Sequence, residues 1–378
     1  MIDLGKKSLE LHRKLRGKIG IHIKDPLLTQ ESIGIFYTPG MGAVSSRIAE
    51  HPEEARELTG LNNSVAIISD GTAVLGLGDI GPLGALPVME GISMLFKRFS
   101  GIDCYPIVLG TKDVDEIVST IKNIAPSFGA INLEDISAPR CFEIEDRLKA
   151  ELNIPVMHDD QHASAVVALA GLINSMKVVG KNLSECKVVV VGSGAAGIAI
   201  MKILNKYAQP QIVAVDSKGI IAKDRNDLNS EKKKLLEFTN PNNQTGSLTD
   251  ALKGADIFIG ASVAGLVTFE MAKSMAKDPI IIAMANPVPE IMPDIAKKAG
   301  VAIMATGRSD FPNQINNALV FPGIFRGALD NKVNQITDDH KIAAAKVLAS
   351  LIENPTPDLI IPGLLDDRIV PAIASVII

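Results

Sequence analysis

Two short apolar runs, residues 129–133 and 154–157, each end in a pair of acids: Glu134-Asp135 and Asp159-Asp160. Apolar runs of this length, stopped by polar residues, read as buried strands. The stretch between them, 141–152, has the spacing and charge of an amphipathic helix. The unit is therefore strand, helix, strand, with carboxylates at the C-terminal end of both strands. Neighbouring parallel strands bring those ends into one crevice, which is where open α/β sheets place ligands.

Four like charges in one crevice repel and need compensation. A hard divalent cation, Mg²⁺ or Mn²⁺, takes carboxylate oxygens and keeps positions open for water or substrate. The plainer reading is a pair of solvated loops or helix caps, since Asp135 and Asp160 could each cap a helix. One acid pair alone favours that reading; two on adjacent strand ends balance it against a metal site. His158 and His162 stand four apart, but no third nitrogen or sulfur ligand for zinc lies nearby, so they read as structural hydrogen-bonders around the acids.

A second constraint lies further on. The apolar strand 188–191 runs into Gly192-Ser193-Gly194-Ala195-Ala196-Gly197, a GxGxxG turn that opens a helix. Such glycines permit a tight turn and let a pyrophosphate approach the helix N-terminus. The next strand, 212–215, ends in Asp216, nineteen residues beyond Gly197 and placed to bond a ribose 2′-hydroxyl. An acid there favours NAD over NADP, because it repels a 2′-phosphate; Lys218 beside it keeps NADP open. Strands at 256–260, 280–285 and 302–305 continue the alternation. Asn286 follows a strand end, and Asn316 and Asn317 begin an apolar segment; alone, each asparagine reads more simply as a turn or cap.

Before the acidic unit, residues 1–16 read as a charged helix with Leu4, Leu11 and Leu15 on one side. Tyr37 precedes a Pro-Gly turn; a tyrosine so placed can donate a proton, though packing is its commoner role. Residues 65–69 and 72–75 read as a hairpin around Asp70-Gly71, a type I′ pair. A glycine-rich loop follows at 76–86. Pro87 then opens a helix to Phe99, closed by Gly101, with Val88, Ile92, Leu95, Phe96 and Phe99 as its apolar stripe. A strand at 103–109, helices at 114–124 and 163–176, and a helical, proline-punctuated tail from 338 complete the reading.

The chain has 378 residues, 47% hydrophobic, with a formal net charge of −5, enough for two domains with cores of their own. Mild acidity and the lack of a Lys/Arg run argue against nucleic acid. The charged N-terminus is no signal peptide, and no uninterrupted apolar stretch spans a bilayer. Three cysteines without CxxC spacing suit a reducing cytoplasm.

With these residues in place, the chain resembles the malic enzyme family in its short bacterial and archaeal branch. The likeness runs from YTPG at Tyr37 through SDGTAVLGLGDIGPLGALPVMEG, INLEDI, IPVMHDDQH, GSGAAG, ANPVPEIMP and ATGRSDFPNQINN to FPGIFRGALD. It implies an α/β protein of two domains: an N-terminal substrate- and metal-binding domain, 1–160, and a Rossmann-like dinucleotide-binding domain, 161–378, whose tail 318–378 folds back onto the first. It implies oxidation of L-malate with NAD or NADP and decarboxylation to pyruvate and CO₂, with Mg²⁺ or Mn²⁺, in a cytoplasmic homodimer. By motif, Glu134, Asp135 and Asp160 become the metal ligands and Asp159 a neighbouring acid. Tyr37 becomes the general acid, and Asn286 and Asn317 contact the nicotinamide ribose or malate. One position departs. The family reads PVMEGK, its lysine being the base for the malate hydroxyl, whereas this chain has Ile92 there. Lys97, five residues on, points about 140° away around a helix. The departure implies weakened turnover; the alternative is a silent homologue that binds nucleotide or dicarboxylate.

Overall fold

The computed structural model describes residues 4–74 and 76–378. Residues 1–3 and Leu75 lie outside the described residues, and with them the ends of two expected elements, the first helix and the 72–75 strand.

The first sheet holds β1 (Ser64–Ser69), β2 (Asp103–Val108), β3 (Ala130–Leu133) and β4 (Val156–His158), in the order β2-β1-β3-β4 and all parallel. Parallel neighbours need crossover helices, and these cover the faces; hence every residue of β1, β3 and β4 is buried and the runs read as continuously apolar. The register pairs Leu133 with His158. The acid pairs that follow these two residues therefore leave the sheet side by side.

The second sheet holds β5 (Lys187–Val191), β6 (Gln211–Asp216), β7 (Gly219–Ile220), β8 (Ile257–Gly260), β9 (Ile280–Ala283) and β10 (Ile303–Thr306), ordered β10-β9-β8-β5-β6-β7. Only β7 runs antiparallel. The chain leaves β5 toward β6 and later returns on its other side as β8, so the strand order reverses beside Gly192. That reversal opens a crevice at the C-terminal ends of the strands.

Helix Asp159–Val179 begins on the acid pair and runs to the second sheet, packing against helices Ala195–Ala208 and Asp338–Ser350. By length and mean composition it could cross a membrane, but it is interrupted by polar residues and 67% of its apolar window is buried inside the protein. It is a core helix. Helix Phe321–Asp330 packs on helix Gly81–Ser100, where Phe96 meets Phe321 and Phe325 at ring-centroid distances of 4.7 and 5.4 Å.

Three expectations need correction. Among the described residues no hairpin forms at Asp70-Gly71: β1 is flanked by β2 and β3, so no strand edge is open to a returning chain. Instead Asp70 Oδ1 accepts the Thr72 amide, and Gly71 O accepts the amides of Ile80 and Gly81, closing a loop over the strand end. Gly71 is required there, since its φ is +69° and a Cβ would lie 2.2 Å from Gly81 O. The next helix spans Gly81–Ser100, so Pro87 sits inside it rather than at its start. Its fully buried face is Ala85, Met89, Ser93 and Phe96, one position off the expected stripe; Ile92 and Leu95 are half-buried at its edge and Val88 is exposed. Gly101 closes this helix in the left-handed region, as expected.

Candidate active site: an acidic crevice beside a glycine turn

The β3 end makes its turn through Asp135, whose φ of +54° is uncommon for a residue with a Cβ and best tolerated by Asp or Asn. This turn carries Glu134 and Asp135 off the sheet toward helix Asp159–Val179. The Asp135 amide donates to Asp160 Oδ2 at 2.9 Å, and Asn132 Nδ2 donates to Glu134 Oε2 at 3.2 Å. Oxygens of Glu134, Asp135 and Asp160 all lie within 4.8 Å of one another. Glu134, Asp135 and Asp159 are buried, and Asp160 is half-buried.

Burial, with Asp159, Asp160 and Asp135 alongside, pushes the Glu134 carboxyl well above the usual range. Burial and Asp160 push Asp159 up in the same way. Asp159 and Asp160 begin a helix, whose N-terminal dipole relieves only part of the repulsion. An all-oxygen donor set of one Glu and two Asp, crowded into one crevice, fits a hard divalent cation.

His158 departs from the sequence reading. Its ring is fully buried, neither nitrogen has a hydrogen-bond partner among the described residues, and Nε2 stands 3.8 Å from Asp160 Oδ2. His162 does bond, to Glu145. That acid, buried on helix Arg140–Glu151, accepts the His158 amide at 3.0 Å, Gln161 Nε2 at 3.1 Å and His162 Nε2 at 2.9 Å, and pairs with Lys149 at 2.6 Å. Burial opposes its charge, but His162 and Lys149 outweigh that and hold its pKa well below the ordinary value. Burial also carries His162 down to about 4, so at neutral pH the charge partner of Glu145 is Lys149. Glu145 thus clamps the first turn of the helix that bears Asp159 and Asp160. Glu145→Gln breaks this buried pair and should lower stability by about 3–5 kcal/mol in urea unfolding; an unchanged midpoint would show the clamp to be idle.

A matching clamp holds the other side. Arg140 Nη1 pairs with the buried Asp70 at 2.8 Å, and Nη2 donates to the Thr72 and Ser137 hydroxyls. The end of β1, the loop after it and the β3 turn are thereby tied together.

The glycine turn is built as the motif requires. Gly192 has a φ of +102°, and a Cβ on it would lie 2.3 Å from Ala261 O; one on Gly197 would lie 1.7 Å from Gly192 O. Gly194 faces open space at the N-terminus of helix Ala195–Ala208, with Ser193, Ala195 and Ala196 around it. The two halves meet through the asparagines. Asn317 Nδ2 donates to Asp159 Oδ2 at 2.5 Å, and a Cβ on Gly76 of the first half would lie 3.0 Å from Asn286 O. Asp216 ends β6, where Arg225 and Lys232 hold both its oxygens.

Tyr37 is not part of this cluster in a single chain. It follows helix Gln30–Phe36 and is 62% exposed, and its hydroxyl makes no hydrogen bond among the described residues. Ile92 offers no proton acceptor, and Lys97 is turned to Asp103 at 2.6 Å.

Glu145, Arg140 and their partners escaped the sequence reading. Acids at 145 and bases at 140 and 149 look there like ordinary charges of an amphipathic helix.

Comparison with known proteins agrees with this geometry. The family model described as "Malic enzyme, N-terminal domain" matches residues 16–149, and "Malic enzyme, NAD binding domain" matches residues 162–374. A bifunctional malic/malolactic enzyme of Bacillus subtilis is 51% identical, over 100% of this chain and 92% of its own length. An NAD-dependent malic enzyme of Geobacillus stearothermophilus is also 51% identical, over 100% of this chain and 79% of its own. The crystal structure of an NAD-dependent malic enzyme from Thermotoga maritima superposes with a TM-score of 0.95 at 45% identity, covering 100% of this chain and 99% of that one. With both domain models matched in order and relatives this similar along its whole length, the chain belongs to the malic enzyme family.

Proposed function

We propose that this protein converts L-malate to pyruvate and CO₂ while reducing NAD(P)⁺, with Mg²⁺ or Mn²⁺ held by Glu134, Asp135 and Asp160. The observation that carries this reading is the convergence of the two acid pairs next to Asn317, the residue through which the dinucleotide-binding half reaches Asp159. When bound, the cation supplies Lewis-acid polarisation of the substrate oxygens. The Gly192–Gly197 turn and the helix behind it receive the pyrophosphate, and Asp216 stands at the adenosine-ribose end. Asn286 and Asn317 orient the nicotinamide ribose or malate. Asp159 is the neighbouring carboxylate that can take up the hydroxyl proton, and Tyr37 delivers a proton to C3. We place the substrate and metal domain at 1–160 and the dinucleotide domain at 161–378, with the tail from 318 returning to the first.

Malate, Mn²⁺ and dinucleotide together should yield reduced dinucleotide and pyruvate in equal amounts, and omission of the cation should stop both. Faster reduction with another 2-hydroxy acid than with malate would overturn the substrate assignment. Ile92 favours a second reading, a silent homologue; binding of Mn²⁺ and dinucleotide with no decarboxylation even of added oxaloacetate would select it.

Cation binding displaces the protons that Glu134 and Asp159 retain above their ordinary range. Mn²⁺ should therefore raise Tm, and the rise should shrink as pH falls toward the acid range and those carboxyls protonate. A Tm gain independent of pH would place the cation elsewhere.

A homodimer accounts for the N-terminal segment. Leu15, Ile21, Leu28, Ile35 and Phe36 are all exposed, at 64, 94, 83, 56 and 58%. Apolar side chains gathered in one segment mark a surface that is covered. Tyr37 belongs to the same segment, so closure against a second copy shields its hydroxyl from water. Light scattering should give twice the chain mass, and Phe36→Asp should give the single mass.

A further inference from the structure

Glu290, four residues beyond Asn286, is a fully buried acid. Each of its oxygens accepts one backbone amide: Oε1 from Ser262 at 3.0 Å and Oε2 from Ala285 at 3.1 Å. Among the described residues no cation pairs with it. Burial pushes its carboxyl above the ordinary range, and the two amides pull it back only in part. A buried acid without a partner charge is costly. What it does there must be something an apolar side chain cannot do.

The two amides belong to two different loops. The register pairs Gly260, the end of β8, with Ala283, the end of β9. Ser262 and Ala285 each stand two residues beyond those ends, so one carboxylate clips both loops at matching positions. An ionised carboxylate only accepts and can meet two N–H groups at once, whereas a glutamine turns its own NH₂ toward one of them. Gly260 makes the room, since a Cβ there would lie 2.3 Å from Glu290 Cδ. The β8 loop backs the glycine turn: Ala261 O stands 2.3 Å from the place of a Gly192 Cβ, and the Ala261 amide donates to Val191 O at 2.9 Å. The β9 loop passes from Ala285 straight into Asn286, whose Nδ2 packs 2.6 Å from the place of a Gly307 Cβ.

We propose that Glu290 is a positioning residue: it holds Asn286 at a fixed distance from the Gly192–Gly197 turn, so that one dinucleotide is gripped at its pyrophosphate and at its nicotinamide end together. The proposal rests on the dinucleotide reading above and deepens it by naming the group that sets the spacing. The glycine turn keeps its own tie to the sheet, the Gly192 amide donating to Val215 O at 3.0 Å. Loss of the Glu290 clip therefore frees the Asn286 loop and leaves the turn in place.

The test is equilibrium binding to the full chain, by calorimetry, of NAD⁺ and of ADP, which reaches the glycine turn but lacks the nicotinamide end. Wild-type protein should hold NAD⁺ more tightly than ADP. Glu290→Gln keeps the shape of the side chain and should weaken NAD⁺ about tenfold, the order of one lost hydrogen bond, with ADP within about twofold. Glu290→Asp keeps the charge but is one methylene short of spanning both amides, and should give the same split; either variant alone decides. The Mn²⁺-induced rise in Tm should persist in both. Equal weakening of NAD⁺ and ADP marks an acid that only supports the fold and overturns the proposal. Unchanged NAD⁺ binding, or a wild type that holds NAD⁺ no better than ADP, overturns it too, with the dinucleotide site left standing. Wild-type protein that binds neither ligand overturns the dinucleotide reading as well.

Discussion

Ile92→Lys is expected to raise the malate-dependent rate by about 10²–10⁴-fold, the usual contribution of a positioned general base. The gain should fall on kcat, since isoleucine leaves the cation and dinucleotide sites in place and removes only a proton acceptor. The structure makes the change tolerable. Ile92 lies half-buried at the edge of the buried face of helix Gly81–Ser100. A lysine stem can cover the same apolar surface while its ammonium reaches outward, at a cost of about 1–2 kcal/mol from partial loss of apolar burial. A stable, folded Ile92→Lys protein with unchanged kcat would mean that another group takes the proton, Asp159 being the first to substitute.

The second large effect is expected for Glu134→Gln. Malate turnover should fall by at least about 10²-fold, beyond the 10–100-fold typical for groups that merely support a ligand. The Mn²⁺-induced rise in Tm should fall with it. Stability without cation should move the other way. Glu134 is buried, and burial and three neighbouring acids hold its carboxyl well above the usual range. Glutamine keeps the Asn132 contact and removes the charge, so Tm without cation should hold or rise. A single substitution that stabilises the bare protein and abolishes the response to Mn²⁺ marks a binding site; a uniform loss of stability marks a structural acid.

Much of this site is legible in the sequence because its parts are local. Each acid pair sits directly after its strand, and the glycine turn lies within six residues, so periodicity and punctuation suffice. The pairing of the ends was also within reach, because parallel strands joined by one helix lie side by side. What escaped is set by contacts across the fold. The Asp70-Gly71 hairpin looked sound by turn chemistry, but β2 and β3 occupy both edges of β1, and no local pattern carries that. Pro87 looked like a helix start, yet the loop before it already winds from Gly81. Asn317 meets Asp159 across 158 residues, and Glu145 meets His162 across seventeen. Asp216 ends its strand as read, but the bases that fill its oxygens come from Arg225 and Lys232, beyond the motif. His158 shows the same limit: its place in the chain suggested a hydrogen-bonder, and its buried ring makes no hydrogen bond among the described residues.

The central claim is that the acid cluster and the glycine turn form one site, with a cation beside the reactive end of the dinucleotide. Proton relaxation of bound dinucleotide in the presence of Mn²⁺ tests this without requiring turnover, because the paramagnetic effect falls steeply with distance. The nicotinamide ring protons should relax far faster than the adenine protons, and Glu134→Gln should remove the difference. Equal relaxation at both rings, or a stronger effect at adenine, would contradict the account.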